Sequence, residues 1–387
     1  MRNMKVVFVS NYYNHHQSEF SNAMYEKTNG NFVFIQILPM EEERINMGWG
    51  DVSRPSYVKY SYSSDAEYKE CLALIYNADL IIAGGCREIE RMIRHRIAAK
   101  KLVFRYSERL YKNKKLYFQI PFRFIKYHWV NRGSRNTYML CASAYAAKDY
   151  ALTGNFINKT YKFGYFPKLK IYDIDELIKN KKKNSMLWVA RFISWKHPEI
   201  AINVAEKLKK DGYDFELNMI GSGELFDTIR RLIMQKGLED RVKLLGSMTP
   251  DQVRMHMERS EIFMFTSDRG EGWGAVLNES MNSACAVVAN SQIGATPFLI
   301  EDGENGLVYD GNEDVLYSQV KSLLDDDIKR ESLAKAANNT IVNHWNADVA
   351  AERVLTLAKN ITEGKDISHI YEFGICSIAH RNIKKDK

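Results

Sequence analysis

The sequence predicts an α/β protein of two doubly wound domains that face each other across a cleft. Three observations carry this. The 387 residues make two or three ordinary domains. Short runs rich in β-branched and aromatic residues alternate with helical patterns along nearly the whole chain. The runs fall into two sets, separated by the lysine-rich stretch DELIKNKKKN (175–184).

In chain order, the first set is KVVFVS (5–10), NFVFIQI (31–37), DLIIAGG (79–85), KLVFRYS (101–107) and TYMLCAS (137–143). Each is short, apolar and bounded by polar or turn residues, as a buried parallel strand is. Helical patterns at 66–77 and 86–97 separate some of them. The second set is SMLWVAR (185–191), FELNMIG (215–221), RVKLLGS (241–247), EIFMFTS (261–267) and CAVVANS (285–291). This places a first domain at 1–170, a linker at 171–184 and a second domain at 185–345. A helical segment, 346–387, is expected to pack back on the first domain. Ligands of such sheets bind beyond the carboxyl ends of the strands, so the loops after the strands are the candidate sites.

Composition excludes several classes. Hydrophobic residues are 45% and charged residues 27%, which rules out disordered and fibrous chains. The first apolar run is too short for a signal peptide. The longest uncharged stretch, 280–300, is interrupted by Asn, Ser, Gln, Gly and Pro, so no transmembrane helix is expected. Cys71, Cys86, Cys141, Cys285 and Cys376 form no C-x-x-C pair, which suits reduced, buried thiols. No metal site is expected.

Charge is unevenly spread. Residues 91–135 hold fourteen Lys or Arg and a single acid, Glu108, a local +13 that leaves −6 of the overall +7 for the rest of the chain. A basic face of this kind suits nucleic acid or an anionic membrane surface. Aromatics (Tyr117, Phe118, Phe122, Phe124, Tyr127, Trp129) interleave with the bases, as at a lipid interface or a base-stacking surface.

The second half carries the chemistry. No P-loop is present, and Gly221-Ser222-Gly223 is followed by Phe226 where a dinucleotide fingerprint needs its third glycine. What remains is a glycine turn feeding a helix, either a tight connection or a phosphate cradle. In EGWGAVLNES, Glu271, Gly272 and Gly274 follow a strand, and a helix is predicted to begin near Gly274. Glu271 and Glu279 are eight residues apart, a rise of about 12 Å along a helix. That spacing suits contacts with two parts of one long ligand better than a glycosidase pair. Arg191 and Lys196 lie in the loop after the first strand of this half, where fixed cations can neutralise a diphosphate.

The segments VARFISWKHPEIAI, LNMIGSGEL, RVKLLGSM, EIFMFTSDRGEGWGAVLNESMNSACAVVAN and IGATPFLIEDGENGLVYD cover roughly 186–310. Together they resemble the retaining family-4 (group 1) glycosyltransferases of the GT-B fold. The resemblance implies that Arg191 and Lys196 bind the donor diphosphate, Glu279 the ribose, and Glu271 the transferred sugar. Amides near Gly272, Trp273 and Gly274 would lie close by, Gly221 and Gly223 on the donor, and the base near Gly246 and Met248. Glu271, Arg191 and Lys196 are then the catalytic candidates. The implied reaction moves a sugar from a nucleotide diphosphate sugar, UDP-sugar favoured, to an acceptor hydroxyl, with retention and without metal or cofactor. The acceptor would be a lipid-linked glycan or oligosaccharide of bacterial surface polysaccharide, reached from the cytoplasmic face of an anionic membrane; no nucleic acid is expected.

The first half matches less. NYYNHHQSEF replaces the family's glycine-rich loop, and VFRYSERLYK offers Ser107, Glu108 and Arg109 where a histidine is usual. His15, His16 and Glu108 are candidate acceptor contacts or a base. Asp173-Ile174-Asp175 spells the D-x-D signature of another glycosyltransferase fold, but lies in the linker and is expected to be solvated. Two other readings compete: a nucleotide-sugar epimerase of the same fold, and a nucleic-acid binder using 91–135.

Overall fold

The computed structural model describes residues 4–42, 54–85, 87–131 and 135–382. The chain divides into two compact units, one of Met1–Lys168 with Trp345–Asp386, the other of Leu169–His344. Each is a twisted parallel sheet with helices on it.

In the first unit the strands are β1 (Val6–Ser10), β2 (Phe32–Gln36), β3 (Val58–Tyr60), β4 (Leu80–Ala83), β5 (Leu102–Ser107), β6 (Thr137–Cys141) and β7 (Thr160–Lys162). They lie in the order β3-β2-β1-β4-β5-β6-β7, every neighbouring pair parallel. All five residues of β1 and all four of β4 are buried, because a central parallel strand is covered on both faces. Sequence reading missed β3 and β7. Each has three residues (VKY, TYK), too few for a recognisable apolar run.

The second unit comprises β8 (Lys182–Val189), β9 (Glu216–Ile220), β10 (Val242–Gly246), β11 (Ser260–Phe265), β12 (Ala286–Asn290) and β13 (Leu307–Tyr309). Their order is β10-β9-β8-β11-β12-β13, again all parallel. Its core packs Trp188, Met219 and Met264 of the sheet against Ile202 and Leu208 of the helix Pro198–Lys210. In both sheets the winding reverses once, between β1 and β4 and between β8 and β11. A crevice opens at the carboxyl end of such a reversal, and ligands bind there.

Residues 171–184, read as a linker, hold the helix Ile174–Lys179 and the start of β8. Lys181 is not a solvated lysine. Its ammonium donates to the carbonyls of Met257 (3.0 Å), Ser260 (2.8 Å) and Ser283 (2.9 Å), and burial lowers its pKa. The Asp173-Ile174-Asp175 motif is a helix cap: Asp173 accepts from the Glu176 amide, and Asp175 pairs with Lys335 at 2.6 Å. The helix Ala347–Thr362 lies on the helix His15–Lys27. Beyond it, Cys376 and Ser377 exchange backbone hydrogen bonds of 2.8 Å with Lys162, covering the β7 edge.

The basic segment is less uniform than its composition suggests. Arg96, Arg105 and Arg109 are buried. Arg96 donates to the carbonyls of Ile75, Ala78 and Leu102, a structural pin between elements. Its neighbours Arg91, Lys112, Lys114, Lys115 and Lys126 are exposed. The aromatics divide as well. Phe118, Phe122, Phe124 and Trp129 are exposed, while Tyr117 stacks on Tyr111 and Tyr127 meets Tyr150 edge-on. Among the described residues no helix is long and apolar enough to cross a membrane. Cys71, Cys141, Cys285 and Cys376 are buried; Cys86 lies outside the described residues.

Candidate active site

The loops after β8 and β11 flank the reversal of the second sheet, and the predicted charged residues sit on them. After β8 the chain runs through Arg191 to the single turn Ser194–Lys196, and His197 opens the helix Pro198–Lys210. This loop is laced to the one after β9: the Phe192 amide donates to Ser222 (2.8 Å) and the Leu225 amide to Phe192 (2.9 Å). The approach is too close for side chains. A Cβ on Gly221 (φ +140°) would stand 1.9 Å from the Ala190 carbonyl oxygen, and one on Gly223 (φ +150°) 2.5 Å from that of Phe192. The two glycines therefore first serve to hold the Arg191 loop in place. Gly246 follows the same logic at one remove, its carbonyl accepting from the Gly221 amide at 2.8 Å. Met248 is half-buried just before the capped helix Pro250–Arg259.

Lys196 and Glu271 form an ion pair across the reversal, with side chains only 13% and 14% exposed. A relay fixes the lysine: Trp188 Nε1 donates to Thr266 Oγ1 (2.8 Å), which donates to the Lys196 carbonyl (2.6 Å). Arg191 is exposed beside Trp195, its guanidinium 5.6 Å from the ring centre. Gly274 (φ +92°) has the Phe265 ring 2.7 Å from where a Cβ would lie, so the chain can turn there only without a side chain. Gly272 is buried, and the Trp273 indole is core, donating to Asn278 Oδ1 at 2.9 Å. Trp273 can therefore serve a ligand through its backbone and not its ring.

The helix begins at Val276 rather than Gly274, so only Glu279 is helical and the 12 Å helical spacing of the two glutamates does not apply. Glu271 ends a turn, its amide bonded to Asp268 at 3.1 Å. Glu279 has a different cation beside it, Arg254, at 3.9 Å. Burial raises the Glu279 pKa and Arg254 opposes the shift. Sequence reading missed Arg254, which lies mid-helix in a segment without a distinguishing pattern. It also missed His197, whose imidazole lies between Glu199 (2.8 Å) and Asp268 (3.3 Å) and so ties the Lys196 turn to the β11 loop. The Glu199 hydrogen bond raises the His197 pKa, with Asp268 assisting. A His before a Pro at a helix start was the available signal.

In the first unit, His15 and His16 open the helix after β1, with ring centres 3.9 Å apart and Asn14 capping the His16 amide. Burial, assisted by the charge of His15, pushes His16 down to about 3. Both oxygens of Glu108 are engaged, one by the Tyr165 hydroxyl (2.9 Å) and one by Lys112 (2.6 Å). Ser107 donates to the Glu108 carbonyl, and the Arg109 guanidinium covers the Tyr145 ring. Among the described residues no three His, Cys, Asp or Glu side chains gather as a metal site.

Residues 172–340 match the family described as Glycosyl transferases group 1. That segment belongs to the group 1 glycosyl transferases. Two curated relatives of this group 1 segment are the D-inositol 3-phosphate glycosyltransferase of Corynebacterium diphtheriae and a Campylobacter jejuni enzyme. The first is 29% identical over 44% of this chain and 40% of its own length. The second, N-acetylgalactosamine-N,N'-diacetylbacillosaminyl-diphospho-undecaprenol 4-alpha-N-acetylgalactosaminyltransferase, is 32% identical over 40% of this chain and 41% of its own. The alignments thus span about two-fifths of these relatives' lengths. Solved structures are similar over much more. Anabaena Alr3699/HepE in complex with UDP has a TM-score of 0.66 at 16% identity, covering 93% of this chain and 99% of that one. A glycosyltransferase from Rickettsia africae gives 0.65 at 15%, covering 94% and 100%. These likenesses show the fold, GT-B, with its two doubly wound domains.

Proposed function

We propose that this chain is a glycosyltransferase that moves a sugar from a nucleotide diphosphate sugar to an acceptor hydroxyl, with retention and without metal. The observation that carries the reading is the Lys196–Glu271 pair, with Arg191 on the same loop as Lys196, at the sheet reversal of a group 1 glycosyl transferase segment. A cation and a carboxylate held together at the crevice suit a ligand that carries phosphates beside hydroxyls. Arg191 and Lys196 would stabilise the charge that grows on the departing diphosphate, work that a metal otherwise does. Glu271 would bond the hydroxyls of the transferred sugar and Glu279 those of the ribose.

The bond from the anomeric carbon to phosphate oxygen breaks with its electron pair going to the diphosphate. The acceptor oxygen forms the new bond on the same face, and its proton passes to a departing phosphate oxygen. UDP is the favoured nucleotide, since similar folds are described in complex with UDP. A lipid-linked acceptor at the cytoplasmic face of a membrane is favoured by the exposed Phe118, Phe122, Ile125 and Trp129 beside Lys114, Lys115 and Lys126. The Campylobacter relative is named for an undecaprenol-linked acceptor.

A panel of UDP-, GDP- and dTDP-sugars, read by thermal shift and then by hydrolysis with and without EDTA, tests the donor. A true donor at a hundredfold excess over Kd adds about 2.7 kcal/mol of stability. Silence across the panel, or activity abolished by EDTA, overturns the assignment. Vesicle co-sedimentation tests the surface: binding to anionic but not neutral lipid, weakened by salt and by Phe122→Ser with Trp129→Ser, is expected. Indifference to lipid charge removes the membrane from the reading.

A further inference from the structure

Glu279 is held differently from its neighbours. Lys196 bonds Glu271, and Glu261 takes Arg330 at 3.1 Å and the Asn184 amide at 2.7 Å. The cation beside Glu279 is Arg254, whose Nη2 stays 3.9 Å from Oε1, beyond hydrogen-bond length. The contact is one of charge, and it leaves the lone pairs of the carboxylate to a ligand. The guanidinium is itself pinned. Its Nη1 donates to Asn282 Oδ1 (2.9 Å), the Glu279 carbonyl (3.3 Å) and Ser283 Oγ (3.4 Å). Its side chain is 6% exposed against 21% for Glu279. Asn282 is fixed in turn by two 2.9 Å bonds to the Lys170 backbone.

The other charges packed around the helix Val276–Asn282 are engaged elsewhere or exposed. On the helix Pro250–Arg259, Glu258 Oε1 accepts from Lys170 Nζ (2.9 Å) and the Tyr172 hydroxyl (2.7 Å). Asp251 and Arg259 there are exposed, and His256 is near Arg259 and Glu216. On the helix Asp327–Asn343, Arg330 pairs with Glu261 and Asp327, Lys335 pairs with Asp175, and Lys329 and Glu331 are exposed. Lys181 meets this region at the Ser283 carbonyl. Strand β12 carries no charge, and burial keeps the Cys285 thiol before it neutral. Burial alone would draw Glu279 toward its neutral form, which donates a proton where a ribose needs an acceptor. We propose that Arg254 is the positioning residue for Glu279, holding that carboxylate charged and open so that it accepts from both vicinal hydroxyls of the donor's ribose. The proposal rests on the assignment of the ribose to Glu279. A purely structural pin, as Arg96 is, would leave the preference for a ribose untouched.

The test is calorimetry on the full chain with UDP and 2′,3′-dideoxy-UDP, at pH 6 and pH 8.5. The ratio of the two affinities reads the ribose hydroxyls and cancels the protonation of the diphosphate. Wild type should favour UDP about tenfold at both pH values, and Glu279→Gln at neither. Arg254→Gln removes the charge and keeps a donor for Asn282. It should retain the preference at pH 8.5 and lose it at pH 6, because without the cation the Glu279 carboxyl takes up its proton at higher pH. Arg254→Lys keeps the charge and loses the fork. It should hold the preference at both pH values, and it reports even if Arg254→Gln fails to fold. A wild-type ratio in Arg254→Gln at pH 6, equal impairment of that variant at both pH values, or loss of the preference at both in Arg254→Lys would each overturn the proposal. Failure in these variants alone leaves the ribose assignment standing. Wild type that binds UDP with no ribose preference, or Glu279→Gln that keeps one, overturns that assignment and the proposal with it.

Discussion

The two units wind their sheets alike, yet the carboxyl ends of those sheets are built from different materials. In the second unit, glycines bring backbones within reach of one another, and charged side chains occupy the space so defined. In the first, Tyr127, Tyr150 and the paired Glu90 and Arg105 are among the residues that line an open cavity. The shared winding supplies a place for a ligand, and the side chains alone decide its class. Function is therefore to be argued from residues at each reversal and not from the fold.

The strongest way to break this contrast is at the glycines. Gly221→Ala or Gly223→Ala should destabilise the second unit by about 3 kcal/mol or more, since each adds a left-handed backbone strain to a clash with a carbonyl oxygen. Gly85→Ala in the first unit meets only the Asn11 side chain, at an ordinary contact distance of 4.0 Å, and should change stability by less than about 0.5 kcal/mol. Urea denaturation measures both, and similar losses would erase the distinction. Next in size is the charge. Lys196→Ala and Arg191→Ala should each remove about 2–4 kcal/mol of transition-state stabilisation, read as kcat/KM. Normal turnover by both would mean that the crevice is not the diphosphate site.

The two glutamates sharpen the picture within the second unit. Glu279→Ala should weaken free UDP and the full donor equally, by about 1–3 kcal/mol in calorimetry. Glu271→Ala should spare UDP and impair transfer. Equal losses of UDP affinity from both would contradict the division of roles.

The smallest effects are in pH, and the two units should respond with opposite sign. His197 has a raised pKa, so its link to Glu199 and Asp268 is intact below the ordinary histidine value near 6.5 and is lost as pH climbs through the raised one. His16 is held neutral. The unfolded chain takes up its proton below about pH 6.5 while the folded chain does not, so stability declines toward pH 3, by at most about 1.4 kcal/mol per unit. In melts from pH 4.5 to 8.5, His197→Ala should flatten the alkaline side and His16→Gln the acid side. Unchanged profiles would show that neither histidine is held as described.

Much of this was legible in the sequence. The ten longer strands read directly as apolar runs, and the loop positions of Arg191, Lys196, Glu271 and Gly274 followed from them. Strands β3, β7 and β13 did not, being three residues each and held by neighbours rather than by their own composition. Basic composition misled where it counted Arg96, Arg105 and Arg109 as surface. Nothing local distinguishes an arginine bonded to three distant carbonyls from one in water.

The sequence by itself determined the alternation, the parallel sheets and the residue types after each strand, because burial on both faces and turn chemistry are local properties. Only the tertiary structure decided which of those residues meet. Lys196 and Glu271 are 75 positions apart, Arg254 and Glu279 are 25 apart, and Glu90 reaches Arg105 from one element to the next. Such pairings depend on where the winding reverses. Hydrogen bonding and burial between strands fix that reversal, and no window along the chain contains it.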